Sequence, residues 1–406
     1  MTKSFRSASV FTVSANNPTE DAFDCRDEGF FVLCDGHGGS EVAHHVAKNL
    51  WPEFKAQKQW LDVGDAFALS LRNLDAHFAV RQSMATTGSC VLACYIDGAK
   101  LYVANVGDCR AVLCRVDEEQ QIKAVQLTTD HNVGNEEEMA AVKERSKDPS
   151  AVRPPLHASN SSIKRVAGTL LVTRALGDHY LKTKSISFAP FAQHVPYITG
   201  EPEVACYPLT SQDLFLIMAT DGVWDMLTNL EAVSAVLGAD ERLPSEQLRR
   251  IWTQRVCEYH HMLEEDMERV PKGQTRRKVH DDATAIVITL NAPEEFFRPE
   301  GSASVEPQPA PAPRPPPRPK PQLQEPRPPP EDEPPSLISD IKTKVKIGVR
   351  SRRQRAEGTV SSWWQSAYTS ARKAFIFVAL AEGVPNEPSS PPDSDMEDEM
   401  TDDLDD

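Results

Sequence analysis

The sequence predicts an α+β protein built of antiparallel sheets flanked by helices, on three observations. Strand-like and helix-like stretches come in blocks, without the regular strand–helix alternation that makes a doubly wound parallel sheet. Three strand candidates, "GSCVLACYIDG", "KLYVANVGD" and "RAVLCRVD", follow one another across short turns, as in an antiparallel meander. Two apolar runs, Phe30 to Cys34 and Leu214 to Ala219, end in the acidic turns "DGHGG" and "DGVWD" and read as buried strands.

In chain order, "SASVFTVSA" reads as the first strand and "NNPTEDAF" as a turn-rich connection to the Phe30 strand. "SEVAHHVAKNLWPEF" places Val42, Val46 and Leu50 at helical spacing behind Ser40 as N-cap, and "DAFALSLRNLDAHFAV" reads as a second helix. After the meander come a helix in "NEEEMAAVKERS" and a strand entering a turn in "KRVAGTLLVTRALGD". Helices in "AVSAVLG" and "EQLRRIWTQRVCEYHHML" follow, and "ATAIVITL" closes the folded part as a strand directly after Asp281 and Asp282. No repeat of solenoid period is visible.

The 406 residues are 40% apolar, enough for a substantial core, but 32 prolines are too many for one evenly built globule. Seventeen of them lie between Pro293 and Pro335, where missing backbone donors favour polyproline II. The expected organisation is a folded domain over residues 1–292, a Pro-rich disordered linker over 293–335, a basic segment over 336–358, an amphipathic aromatic helix over 359–383 and an acidic disordered tail over 384–406. "PRPPPR" in the linker fits a docking pattern for SH3-like partners, although such patterns arise by chance in a Pro/Arg-rich linker and a stiff spacer is the favoured account. Seven Lys or Arg between Lys342 and Arg355, followed by Trp363, Trp364, Tyr368, Phe375 and Phe377, suit an anionic membrane surface or a partner's groove. The apolar stretch from Ala374 to Ala381 is too short to span a bilayer, which needs about 20 residues.

Nine of the net −16 charges lie between Asp393 and Asp406, leaving −7 elsewhere, a balance that argues against nucleic acid as a partner. The eight cysteines show no paired C-x-x-C spacing and are expected to be reduced and mostly buried, in an intracellular soluble protein of the mitochondrial matrix or cytoplasm.

The carboxylates at strand ends or in tight turns are Glu20, Asp21, Asp35, Asp108, Asp178, Asp221, Asp225, Asp281 and Asp282. Each alone is most often a turn former or cap. Gathered in one cleft they would repel, so they need protons or cations, and an excess of hard oxygen ligands without a zinc-type Cys or His pair points to Mg²⁺ or Mn²⁺. Asp-Gly suits this need, because glycine lets a backbone carbonyl approach the ion bound by its neighbour.

Here the sequence resembles the metal-dependent Ser/Thr protein phosphatases of the 2C type. The resemblance is carried, in the family's order, by "NPTEDAF", "FFVLCDGHGG", "TTGSCVLACYIDGAKLYVANVGDCRAVL", "LTTDHN", "GTLLVTRALGDHYLK", "EPEVACYPL", "FLIMATDGVWDML" and "VHDDATAIVITL". Within it, "SANNPTED", "TTDHN", "YITGEPEV" and "FLIMATDGVWD" look most like the pyruvate dehydrogenase phosphatase branch. The resemblance implies a four-layer α-β-β-α sandwich of two antiparallel sheets, with a binuclear metal site at one end. It implies that Asp35 bridges two metals, that the Gly36 carbonyl binds one of them and that Asp221 and Asp281 complete the other site. Glu20 and Asp21 would hold waters on the metals, and Asp108 and Asp225 a weaker third ion.

The implied reaction is hydrolysis of phosphoserine and phosphothreonine by direct attack of water, with His37 as general acid for the basic alkoxide leaving group. The implied partner is a phosphoprotein, and the catalytic domain is expected to be monomeric. An Arg that commonly grips the substrate phosphate four residues before the family's Glu is replaced here by Asn16, so the substrate-binding donor is unassigned. Residues 133–165 align poorly and are expected to include the flap that selects substrates. A pseudophosphatase or adaptor acting through phosphoprotein binding would be signalled by loss of Asp35, Asp221 or Asp281, and all three are present. Nor is there a P-loop or HExxH motif for another hydrolase class.

Overall fold

The computed structural model describes residues 5–155, 162–239 and 243–290. The Pro-rich, basic, aromatic and acidic segments expected after residue 292 lie outside them.

The chain opens with β1 (Ser7–Val13), β2 (Asp21–Arg26) and β3 (Phe30–His37). Helices α1 (Glu41–Gln57) and α2 (Val63–Phe78) follow, then β4 (Gly88–Asp97), β5 (Lys100–Val106), β6 (Arg110–Val116) and β7 (Ile122–Gln126). Helix α3 (Glu136–Ser146) leads into the two-residue strands β8 (Val152–Arg153), β9 (Arg165–Val166) and β10 (Leu176–Gly177). The last part runs through β11 (Glu203–Pro208), β12 (Asp213–Ala219), α4 (Asp221–Trp224), α5 (Asn229–Leu237), α6 (Pro244–His260), α7 (Glu264–Arg269) and β13 (Ala283–Thr289).

Two antiparallel sheets result, in the orders β1-β13-β12-β6-β7 and β11-β5-β4-β3-β2, with β10 added to β4. Between them lies one core, in which Phe31, Leu33 and Leu92 of one sheet meet Leu113, Met218 and Ile286 of the other. The opposite face of the β3 sheet packs on α1 and α2 through Val42, Val46, Leu50, Phe54 and Phe67. The opposite face of the β12 sheet packs on α5 and α6 around the fully buried Trp252. Four layers, α-β-β-α, are the outcome. The central strands are covered on both faces, which is why β3, β12 and β13 read as continuous apolar runs instead of alternating.

Four local expectations are corrected. The three-strand meander is broken, because β4 and β5 pair while β6 crosses to the other sheet between β12 and β7. The free edge of β5 is taken by β11, which leaves β6 no place beside it. "KRVAGTLLVTRALGD" contains only the short β9 and β10, since Gly168 at φ +75° and Ala167 at φ +52° turn the chain out of extended geometry. Part of the "NNPTEDAF" turn is β2, paired with β3 throughout its length. Ser40 stands at the N-cap of α1 with helical backbone angles and no side-chain cap bond.

Asn135, in contrast, caps α3 through Glu137 N and Glu138 N, and Thr228 closes a capping box with Glu231 on α5. All eight cysteines are unpaired, five of them buried. Among the described residues no helix is long and apolar enough to cross a membrane.

Candidate active site

One end of the sandwich collects the acidic turns from both sheets. Asp21 begins β2 and is the register partner of Asp35 near the end of β3. Asp221 follows β12 and opens α4, while Asp281 and Asp282 immediately precede β13, the neighbour of β12. Asp108 lies in the turn from β5 to β6, where the chain passes from one sheet to the other. Asp225 stands one turn beyond Asp221, at the surface, facing the charges of Asp108 and Asp281.

Their proximity is electrostatically costly. Burial, with the charges of Asp221, Asp21, Asp108 and Asp281, pushes the Asp35 carboxyl well above the usual carboxylate range. Burial and the charges of Asp108, Asp225 and Asp281 do the same to Asp221, partly offset by a hydrogen bond with Asp35. Asp21 is pushed up to about 8, by burial first and then by Asp282 and Asp281, against hydrogen bonds from Thr284 and Thr220. Its Oδ1 is buried and has no hydrogen-bond partner among the described residues. Burial also raises Asp108, although Asn132 Nδ2 at 3.2 Å and Cys90 Sγ at 3.3 Å donate to it.

Clustered carboxylates with an orphaned buried oxygen are the donor set of a hard divalent cation, whose charge would reverse every one of these shifts. Among the described residues no three His, Cys, Asp or Glu side chains surround a common ion position. A cation that keeps several waters requires only one or two carboxylates, so the residues fit such an ion.

Around this cluster the backbone is drawn in tightly. Gly36 N donates to the Glu20 carbonyl at 3.1 Å, and a Cβ on Gly36 would lie 2.5 Å from that oxygen and 3.1 Å from Ala43 Cβ. Only glycine fits there. Glu20 Oε1 accepts from Gly39 N at 2.7 Å, and its Oε2 accepts from Asn16 Nδ2 at 3.0 Å. Asp282 is a clasp: Oδ1 accepts from Ala15 N and Asn16 N at 2.6 and 2.9 Å, and Oδ2 from Glu20 N and Asn16 Nδ2 at 2.7 and 3.0 Å. Asp281 differs from its neighbour. Its side chain is 42% exposed and accepts from Arg277 Nη2 at 2.8 Å.

His37 lies beside the cluster with Nε2 2.5 Å from Asp178 Oδ2. Burial disfavours the imidazolium, but the Asp178 carboxylate, with Asp108 and Glu20 beyond it, outweighs burial and raises His37 above its ordinary pKa. The charged form of the imidazole is therefore favoured at the mouth of the site. The pair rests on Gly88, where any Cβ would collide with Asp178 and stand 2.5 Å from His37 Nε2.

Sequence reasoning collected Asp178 among the turn carboxylates but gave it no role; its signal was the glycine before it, which frees the chain to turn at φ +77° and aims the carboxylate inward. Asp75 of α2 fixes that turn, accepting from Gly177 N at 2.8 Å and from the buried Lys182 Nζ at 2.8 Å.

Burial works against the Asp75 carboxylate, yet Lys182 and His179 hold its pKa below the usual value. Its contribution to stability is therefore complete above the ordinary pKa of ~3.9 and lost as pH falls through the lowered one. Replacing Asp75 with Ala leaves Lys182 buried without its partner, at an expected cost of about 3–5 kcal/mol. Urea unfolding should find that deficit in full at neutral pH, and the deficit should shrink below about pH 4.

The fold and the carboxylate end define a class of metal-dependent hydrolase. A family model described as Protein phosphatase 2C matches residues 3–249. "Probable protein phosphatase 2C 63" of Arabidopsis thaliana is 33% identical over 309 residues, covering 70% of this chain and 80% of its own. "Probable protein phosphatase 2C 78" of Oryza sativa subsp. japonica is 32% identical over 289 residues, covering 66% and 72%. The crystal structure of serine-threonine phosphatase 2C from Toxoplasma gondii shares the fold, with a TM-score of 0.54 at 18% identity, over 70% of this chain and 94% of that one. The chain belongs to the protein phosphatase 2C family, the metal-dependent protein serine/threonine phosphatases.

Proposed function

We propose that this chain hydrolyses phosphoserine and phosphothreonine on proteins by direct attack of water, using two Mg²⁺ or Mn²⁺ ions and a weaker third. The observation that carries the reading is the carboxylate cluster of Asp21, Asp35, Asp108 and Asp221, mutually repelling and with Asp21 Oδ1 buried and unpartnered, beside His37, whose charged form Asp178 favours.

Asp35, the Gly36 carbonyl, Asp221 and Asp281 would be divided between the two ions, each completed by water. Glu20 and Asp21 would act through water, and Asp108 and Asp225 would serve the third. When bound, the ions supply the positive charge that lets water lose a proton near neutral pH and that stabilises the transferring phosphoryl oxygens.

The chain's own residues do the rest. His37 holds a proton where a Ser or Thr alkoxide departs, and Asp178 fixes the imidazole's direction and favours its charged form. Asp282 holds the backbone at Ala15, Asn16 and Glu20, just ahead of Asp21, the register partner of Asp35.

The motifs shared with the pyruvate dehydrogenase phosphatase branch support a pyruvate dehydrogenase-like phosphoprotein as substrate. A domain boundary near residue 292 is supported by the close of β13 at Thr289, just ahead of the prolines that start at Pro293.

The test is turnover of a phosphoserine peptide by the full-length chain. Activity is expected with Mg²⁺ or Mn²⁺ at millimolar concentration, should vanish in excess EDTA, return on adding Mn²⁺, and survive inhibitors aimed at other Ser/Thr phosphatase folds. Undiminished turnover in excess EDTA would overturn the reading.

A further inference from the structure

A phosphoryl dianion approaching this site meets carboxylates on every side, so a cationic donor from the chain itself has to be identified. Asn16 is not available for the task, because Nδ2 already donates to both Glu20 Oε2 and Asp282 Oδ2, at 3.0 Å each. Arg110, near Asp225, is committed elsewhere: its guanidinium is bonded to Asp130 and to Asn229 Oδ1 at 2.8 Å, and lies 5.2 Å from the centre of the Trp224 ring. Among the described residues, Arg277 is the one Lys or Arg ion-paired to the proposed ligand carboxylates, with Nη2 2.8 Å from Asp281 Oδ2 and Nη1 3.5 Å from Glu20 Oε2.

Three features suit Arg277 to an anion. Its side chain is 44% exposed, so the guanidinium reaches solvent at the mouth of the site. A single hydrogen bond, to Asp281, occupies one of its five N–H donors. The two carboxylates, which arrive from opposite ends of the chain, hold the planar fork at the rim, so little side-chain freedom remains to be lost on binding. A guanidinium in this setting binds two phosphoryl oxygens side by side, and an ammonium does not.

We propose that Arg277 is the substrate-phosphate anchor of this enzyme, supplied by the short helical turn Arg276–Lys278 ahead of β13, while Asn16 belongs to the scaffold. The proposal rests on the phosphatase reading above. A role confined to holding Glu20 and Asp281 is the competing account, and the two differ in what an Arg277 variant loses.

The test uses the full-length chain and its Arg277→Ala and Arg277→Lys variants, with inorganic phosphate as the probe. Calorimetric titration of phosphate into Mn²⁺-loaded protein is expected to show binding weakened at least roughly tenfold in Arg277→Ala, with Arg277→Lys in between. In the peptide assay KM and the inhibition constant of phosphate should rise by the same factor, while kcat stays within about threefold and half-saturating Mn²⁺ is unchanged. Unchanged phosphate binding in Arg277→Ala, or a rise in half-saturating Mn²⁺ without a change in phosphate binding, would overturn the proposal. A wild type that binds phosphate but does not turn over peptide would sink the phosphatase reading alone, because the titration still decides the role of Arg277.

Discussion

Replacing Asp35 with Asn is expected to lower peptide turnover on the order of a thousandfold, about 4 kcal/mol of transition-state stabilisation, because a proposed metal-binding carboxylate loses its charge. The same substitution at Asp221 should be of similar size. Stability is expected to move the other way. Asp35 is held well above the usual carboxylate range by burial and by four neighbouring acids, so its ionised form is a liability to the metal-free fold at neutral pH. Urea unfolding without metal should therefore find Asp35→Asn as stable as wild type or more so. With Mn²⁺ present the order should reverse, since only the wild type gains fully from binding the ion. A near-normal rate in either variant would mean that the reacting carboxylates have been chosen wrongly.

Replacing His37 with Gln is expected to cost about a hundredfold on a phosphoserine peptide but less than about tenfold on an aryl phosphate, whose leaving group departs with little help from a proton. The distinction follows from geometry. Nε2 contacts the buried Asp178, and that carboxylate favours the protonated ring against the penalty of burial. Asp178→Asn should reproduce part of the same selective loss. Equal losses on both substrates would assign His37 to a structural part in the site.

The layered fold was legible because its strands are long and its helices periodic: Val42, Val46 and Leu50 lie on one buried face, and Phe30 to Cys34 are wholly buried. The crossing of β6 to the second sheet was not. Nothing in "RAVLCRVD" says which partner a doubly covered strand will choose; the choice is made by β11, almost a hundred residues later, which occupies the edge of β5.

The site shows the same division. Asp-Gly turns at strand ends announce themselves locally, and so Asp35 and Asp221 stand out in the sequence. The contacts of Asp178 with His37, of Arg277 with Glu20 and of Asp282 with Ala15 span 141, 257 and 267 positions, and no local pattern carries such a relation. Asp281 and Asp282 are adjacent and chemically identical, yet one faces outward to Arg277 and the other clasps Ala15, Asn16 and Glu20. That difference comes from where β13 begins, which only the assembled sheet fixes.

The clasp also sets an order of events during synthesis. Among the described residues, strand β1, the first of the strands, pairs with one other strand, β13, the last of them, with Ser7 opposite Thr289. Until residues near 290 have emerged, β1 has no strand partner and the segment leading into β2 at Glu20 has no Asp282 to hold it. Contacts of such long range close slowly, and partly made chains of this kind expose apolar edges meanwhile. An incomplete nascent chain therefore carries several of the acids but not the arrangement, so the capacity to react arrives only with completion of the domain.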